Sequence, residues 1–289
     1  MFIFLLEYFI GLIAIGIAVG FVSGLLGVGG GFLLVPFQFF LLNYLGVDPS
    51  ISLKIAMGTS LAIISPTGFF SAYNHYKKDK FNLKPGIILG CFGLIGGLIG
   101  GAIAVNADSA ILQIIIGIVF LILAINMFFN KSGSGKGEKN SNDEILVDDF
   151  SSNWKQYIYI GLTGVGVGIL SGLFSIGGGA FLIPILVYIL GYSMIRSIRT
   201  SSVFISITAI GGVLPYLMTH INTINLEYSI GYINIVNFIV IALFSIPLTY
   251  FGTKYAYKLK ETQLNRLFAI ILAYMALKIL GLDPLSFLF

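Results

Sequence analysis

The sequence predicts an all-α polytopic membrane protein of about ten hydrophobic segments, arranged as two inverted five-segment repeats with Gly-broken helices. Three observations carry this. The first is composition: 57% of the 289 residues are hydrophobic and 10% charged, where a soluble domain is about 25% charged. The second is an element that occurs twice, GFVSGLLGVGGGFLLVP from Gly20 to Pro36 and GILSGLFSIGGGAFLIP from Gly168 to Pro184, at a constant offset of 148 residues. A duplicated, Gly-interrupted apolar segment is the pattern of transporters built from internal repeats. The third is a reversal of loop charge between the halves.

Taken in order, apolar segments are expected near 3–26, 30–45, 54–74, 85–106 and 109–129, and again near 156–174, 178–192, 197–218, 229–252 and 263–281. Most lie in charge-free stretches at or above the ~20 residues that span hydrocarbon. The start, MFIFLLEYFIGLIAIGIAVG, has no basic leader region and no small-residue cleavage site, so a retained first helix is expected. Residues 1–130 form the first transmembrane repeat and 156–289 the second. Between them, 131–155 contains SGSGKGEKNSNDE and DDFSSNW, too polar to pack a core, and reads as a cytoplasmic linker. Cys91 is the single cysteine, which excludes a disulfide framework and a cysteine-based metal site.

Charge placement relates the repeats. The loop HYKKDKFNLK carries Lys77, Lys78, Lys80 and Lys84, and its counterpart THINTINLE has no Lys or Arg. The next pair reverses: VNADSA around Asp108 faces TKYAYKLKE with Lys254, Lys258 and Lys260. One loop earlier, Arg196 and Arg199 stand against Asp48 and Lys54. By the positive-inside rule, equivalent loops then lie on opposite sides. The N-terminus is placed outside, the linker inside and the C-terminus outside, in a multi-pass protein of the cell membrane.

The candidate site follows from the breaks. Gly29-Gly30-Gly31 and Gly177-Gly178-Gly179 would interrupt helices at membrane depth, where freed backbone groups need partners. The segments after them begin helices whose N-termini favour an anion. Thr59, Ser60, Thr200 and Ser201 enter the third segment of each half, where hydroxyls serve an oxyanion or back-bond to the preceding turn. Arg199 precedes Thr200 directly and is either a bidentate anion clamp or a charge anchor beside Arg196. Ser23 and Ser171 are expected to be packing residues, as are Gly93, Gly97 and Gly101. His75 and His220 close the third segments, where interfacial hydrogen bonding outweighs a proton relay.

The duplicated glycine element, followed in each half by Thr59-Ser60 or Thr200-Ser201 and then by Asn74-His75 or Thr219-His220, resembles the sulfite exporter TauE/SafE family of membrane anion permeases. The resemblance spans both halves and implies transport of sulfite, thiosulfate, sulfoacetate, another sulfonate or another small organic anion. The second copy departs with Arg199 in place of Gly58 and Ser175 in place of Gly27.

The expectation is a secondary transporter working by alternating access, with an anion channel or a membrane subunit of a larger assembly as the alternative. No enzyme motif occurs: there is no His-Glu-x-x-His, no G-x-S-x-G and no paired intramembrane carboxylates. The partners expected are the lipid bilayer and a small anion, with a coupling proton or sodium ion left open. No cofactor, metal site or nucleic-acid partner is implied.

Overall fold

The computed structural model describes residues 2–129, 154–190, 192–219 and 228–258, with scattered residues between 263 and 282. The helices are α1 (Phe2–Leu26), α2 (Gly31–Tyr44), α3 (Pro49–Lys78), α4 (Lys84–Asn106), α5 (Ser109–Phe129), α6 (Trp154–Phe174), α7 (Gly179–Pro184), α8 (Met194–Met218) and α9 (Ile235–Ala256). A π-helical turn, Ile185–Ile189, continues α7, and a two-stranded hairpin precedes α9, β1 (Ser229–Ile230) against β2 (Ile233–Asn234). Most of the linker, His220 and most of the segment expected near 263–281 lie outside the described residues.

Among the described residues, five helices are long and apolar enough to cross a membrane: Leu6–Leu26 of α1, α3, α4, α8 and α9. The chain is a multi-pass membrane protein. Two short elements differ in kind from these. At 1.5 Å per residue, the 14 residues of α2 reach only ~21 Å, against a hydrocarbon core of ~30 Å. Like α7 with its π turn, α2 is a half-helix that starts at a glycine break inside the bundle.

Local chemistry sets the ends. Asp48 caps α3 by accepting from the Ser50 amide at 2.9 Å, and Pro49 fills the first turn where no amide is needed. The Ser50 hydroxyl and amide together hold the Asp48 carboxyl below the usual carboxylate range. This cap starts α3 at Pro49 and not near residue 54, so Lys54 sits inside the helix and donates to the Val105 carbonyl at 2.8 Å. The ninth segment, expected from 229, starts at Ile235. Gly231, at φ 52°, turns the hairpin, and Asn234 then caps α9 by accepting from the Asn237 amide at 2.9 Å.

Pairwise contacts give the helix directions. A β-carbon on Gly20 would stand 2.1 Å from the Ser245 carbonyl oxygen and one on Gly24 2.1 Å from that of Thr249, so α1 and α9 run parallel at backbone contact. The same arrangement recurs between α6 and α4: Gly168 meets the Gly93 carbonyl at 2.3 Å and Gly172 that of Gly97 at 2.2 Å. α3 and α8 run antiparallel, since Ser65 donates to the Ser206 carbonyl at 3.0 Å while Ser71 and Ser202 meet at 3.3 Å. α4 lies parallel to α8 through Gly86–Val203, Gly90–Ile207 and Gly97–Gly212. Gly93, Gly97 and Gly101 are therefore packing residues, as the sequence reading expects. Lipid provides no hydrophobic drive between helices, so close backbone approach at small residues is what joins them.

Two glycines one residue apart from each other's neighbour test this packing. Gly168→Ala places its methyl against the Gly93 carbonyl and should destabilise the protein by about 1–3 kcal/mol. Gly166 has nothing within 4 Å of its β-carbon position. Gly166→Ala should be neutral or stabilising by up to about 1 kcal/mol, because Ala is the better helix former. Thermal unfolding of the two purified variants beside wild type measures the contrast, and equal melting temperatures would count against the packing.

Candidate functional site

The two copies of the glycine element become two loops that share one geometry. After α1, Gly27, Gly29 and Gly30 take φ of 64°, 78° and 73°; after α6, Ser175, Gly177 and Gly178 take 56°, 85° and 77°. Left-handed backbone is open to glycine and strained for other residues, which explains two glycines of each triplet. The third does something else. Gly31 and Gly179 are the first residues of α2 and α7, and each faces the opposite loop. A β-carbon on Gly31 would stand 2.6 Å from the Ile176 carbonyl, and one on Gly179 would stand 2.6 Å from Val28 Cα and 3.0 Å from the Gly27 carbonyl. The loops are thus stacked backbone to backbone. Ile64, midway along α3, lies over the stack, 2.8 Å from the β-carbon positions of both Gly29 and Gly177.

Ser175 shows how the second loop differs. A left-handed serine is strained, and its hydroxyl, fully buried, donates to Tyr216 Oη at 3.3 Å. Neither α2 nor α7 has a side-chain cap on its first amides. Behind the loops, the hydroxyls of Ser23 and Ser171 are fully buried and have no hydrogen-bond partner. They occupy equivalent positions in the repeat, and Ser171 Cβ lies 3.1 Å from where a β-carbon on Gly178 would stand. A buried hydroxyl left unpaired costs about 1–3 kcal/mol, and here it occurs twice at one equivalent position.

The predicted hydroxyl residues separate. Ser201 reaches the loops, donating to the Gly27 carbonyl at 2.9 Å. Thr59 accepts from the Asn234 amide at 3.0 Å and Ser60 accepts from Gln38 Nε2 at 3.1 Å. Thr200 lies elsewhere, on a polar cleft of about 430 Å³ lined by Lys80, Asn82, Ser193, Arg196 and Arg199 among others. Arg199 there pairs with Asp79 at 2.5 Å and donates from Nε to Tyr257 Oη at 3.1 Å. Its guanidinium also lies 5.6 Å from the Phe81 ring and 5.4 Å from the Tyr257 ring. Arg199 and Thr200 thus stand at the mouth of the bundle and not at the glycine loops.

Sequence reasoning missed a chain of neutral polar groups. Tyr8 Oη donates to Asn237 Oδ1, Asn237 Nδ2 donates to Gln38 Oε1 at 3.4 Å, and Gln38 continues to Ser60. Gln38, Asn237 and Ser60 are fully buried. The signal was present, since Gln38 and Asn237 are amides in otherwise apolar segments. The partners of His75 were out of reach of the sequence. His75 is fully buried, and its hydrogen bonds run to α1 and to Tyr257.

Comparison with known proteins agrees with this architecture. The description "Sulfite exporter TauE/SafE" fits residues 12–279. A probable membrane transporter protein of Methanocaldococcus jannaschii is 34% identical over 92% of this chain and 93% of its own. Probable membrane transporter proteins of Haemophilus influenzae (27%, over 91% and 94%) and Bacillus subtilis (25%, over 74% and 80%) are also similar. No solved structure matches. With the family description covering nearly the whole chain and a relative above 30% identity across it, the protein belongs to the sulfite exporter TauE/SafE family of membrane transporters.

Proposed function

We propose that the protein is a secondary carrier that moves a small sulfur-containing or organic anion, such as sulfite, thiosulfate, sulfoacetate or another sulfonate, by alternating access. The observation that carries the reading is the stack of two equivalent glycine loops, backed by the unpartnered hydroxyls of Ser23 and Ser171. An oxyanion supplies what those groups lack: acceptor oxygens, compact enough to sit beside backbone that carries no side chains. The proposed site comprises Gly29, Gly30, Gly31, Gly177, Gly178, Gly179 and Ser201, with Thr59 and Ser60 behind the first loop. Arg199 and Thr200 belong to the entry cleft, where Arg199 is held by Asp79. The anion class rests on the family description, and the relatives' names support transport alone.

We read the halves as inverted repeats. Antiparallel α3 and α8, and the recurrence of the α1–α9 contact between α6 and α4, support this. The basic groups support it as well. Lys78, Arg199 and Lys254 come from three helices and meet at one end of the bundle, where Lys78 Nζ lies 3.5 Å from the Lys254 carbonyl. That end is placed inside. Two sides of one site would then be opened in turn by repeats that mirror each other across the membrane.

The orientation is checked with single cysteines in a Cys91→Ala background. Lys80→Cys and Lys258→Cys should be shielded from an impermeant thiol reagent added outside intact cells, and Asp108→Cys should react. Opposite behaviour of the two lysine positions would end the inverted-repeat reading.

The carrier itself is tested in proteoliposomes with labelled sulfite, thiosulfate and sulfoacetate, where saturable uptake accelerated by internal unlabelled substrate is expected. Linear uptake without such acceleration would indicate a channel.

The two serines offer a sharper contrast. Ser171→Ala and Ser23→Ala remove an unpaired hydroxyl, so melting temperature should hold or rise. Apparent substrate affinity should fall about fivefold for each, the equivalent of ~1 kcal/mol. Unchanged affinity in both would remove these hydroxyls from the site.

A further inference from the structure

His75 is a fully buried ionisable side chain in the last turns of α3, and the carrier reading gives it no part. Both ring nitrogens are engaged. Nε2 lies 3.2 Å from the Gly24 carbonyl, and Nδ1 lies 3.3 Å from Tyr257 Oη. The donors in this chain have one consistent direction. Arg199 is donor-only, so its Nε–H gives to Tyr257 Oη. A carbonyl only accepts, so His75 Nε2 carries the hydrogen toward Gly24. Tyr257 is then left to donate to Nδ1, and His75 is neutral. The path runs from Asp79, whose side chain is 59% exposed, through Arg199 and part-exposed Tyr257 to a carbonyl three residues before the first left-handed loop position.

The surroundings of His75 are accounted for on every side. From α1 it meets the Gly24 carbonyl, which Thr253 Oγ1 of α9 also approaches at 3.5 Å. From α8 it faces Arg199, and just beyond α9 Tyr257, with Lys254 and Lys258 further out. From its own helix come Lys78, whose Nζ lies 3.8 Å from the Tyr257 ring centre, and then Asp79. Among the described residues Glu7 is the carboxylate within the five long helices, bonded to Tyr44, and Asp79 flanks the end of α3 nearest His75. Neither is buried beside the loops. His75 is the buried imidazole there, the side-chain type whose unperturbed pKa lies closest to neutral pH.

We propose that His75 is the proton-coupling residue of the carrier, neutral in this closed arrangement and protonated when the Lys-rich end opens. This rests on the carrier reading and names its coupling ion. On opening, Tyr257 passes its phenolic proton to Nδ1 and takes one from a hydronium ion of the cleft water, which leaves as water, so one proton enters and no other bond changes. The imidazolium then has donors on both nitrogens. Tyr257 Oη would face Nδ1–H and the Arg199 Nε–H together, with its own hydrogen unplaced. That opposes reclosure around Arg199 and Lys78 unless an anion accompanies the proton. Anion and proton thereby cross together.

The test uses His75→Gln, whose amide can donate to Gly24 and accept from Tyr257 without titrating. Wild type in proteoliposomes should accumulate labelled thiosulfate or sulfoacetate when a pH gradient is imposed. His75→Gln should keep anion-for-anion exchange within about twofold and lose at least tenfold of gradient-driven accumulation. Tyr257→Phe, which leaves the histidine and removes its relay, should keep exchange and slow gradient-driven uptake. If wild-type uptake ignores the gradient, or His75→Gln still follows it, the proposal is overturned. Loss of both exchange and accumulation in a folded His75→Gln protein overturns it too, since that marks a structural or binding group. Should that variant fail to fold, an unaltered gradient response in Tyr257→Phe overturns it instead. Absence of exchange by the wild-type protein would strike the carrier reading and not this assignment.

Discussion

Everything in this structure depends on burying interrupted backbone at membrane depth. Peptide groups freed from a helix have no water to turn to in hydrocarbon, so each glycine loop survives only inside protein. Here the enclosure is mutual. Gly31 admits the backbone at Ile176 and Gly179 admits the backbone at Val28 and Gly27, so each break is part of the wall around the other. A side chain on either residue would open both. That reciprocity explains why the two loops keep the same left-handed positions although their flanking side chains differ.

The surrounding helices serve the same end by a second route. Without a hydrophobic drive between helices in lipid, α1 is held to α9, and α6 to α4, by carbonyl contact at Gly20, Gly24, Gly168 and Gly172. Such contacts are dry and stiff. The polar chains are different, because hydrogen bonds between Tyr8, Asn237, Gln38 and Ser60 can exchange partners at small cost. At the opposite end, His75, Tyr257, Arg199 and Asp79 form the corresponding polar cluster. Glycine contacts thus hold the frame, and the polar links lie toward its two ends.

Asymmetry between the halves carries information of its own. Gly58 in α3 and Arg199 in α8 each precede a Thr-Ser pair, yet Gly58 is needed for close approach to the Tyr232 carbonyl, which a β-carbon would meet at 2.5 Å. The hairpin therefore occupies one end, and a guanidinium tied to Asp79 occupies the other. Duplication supplied the frame, and the two mouths then diverged. Lys78, Arg199 and Lys254 gather at the second end, while Lys54 stands 5.9 Å from the Tyr232 ring at the first.

What the sequence alone determined is the membrane class, the repeat, the family resemblance and most helix limits, because composition, a duplicated glycine element and caps such as Asp48 with Pro49 are local properties. The glycine triplets were legible as breaks for the same reason. What only the tertiary structure decided is which atoms meet. Ser23 and Ser171 read as packing residues, and their orphaned hydroxyls become visible only once every neighbour is placed. Thr200 and Ser201 are adjacent in sequence but part company, one in the cleft and one on the Gly27 carbonyl, since successive helical residues point about 100° apart. His75 read as an interfacial hydrogen-bonding residue from its place near a basic loop, and the packing of α3 on α1 decided its partners. Long-range partners such as Gly24, Arg199 and Tyr257 leave no mark on the residues around His75, so only their packing could reveal the chain that joins them.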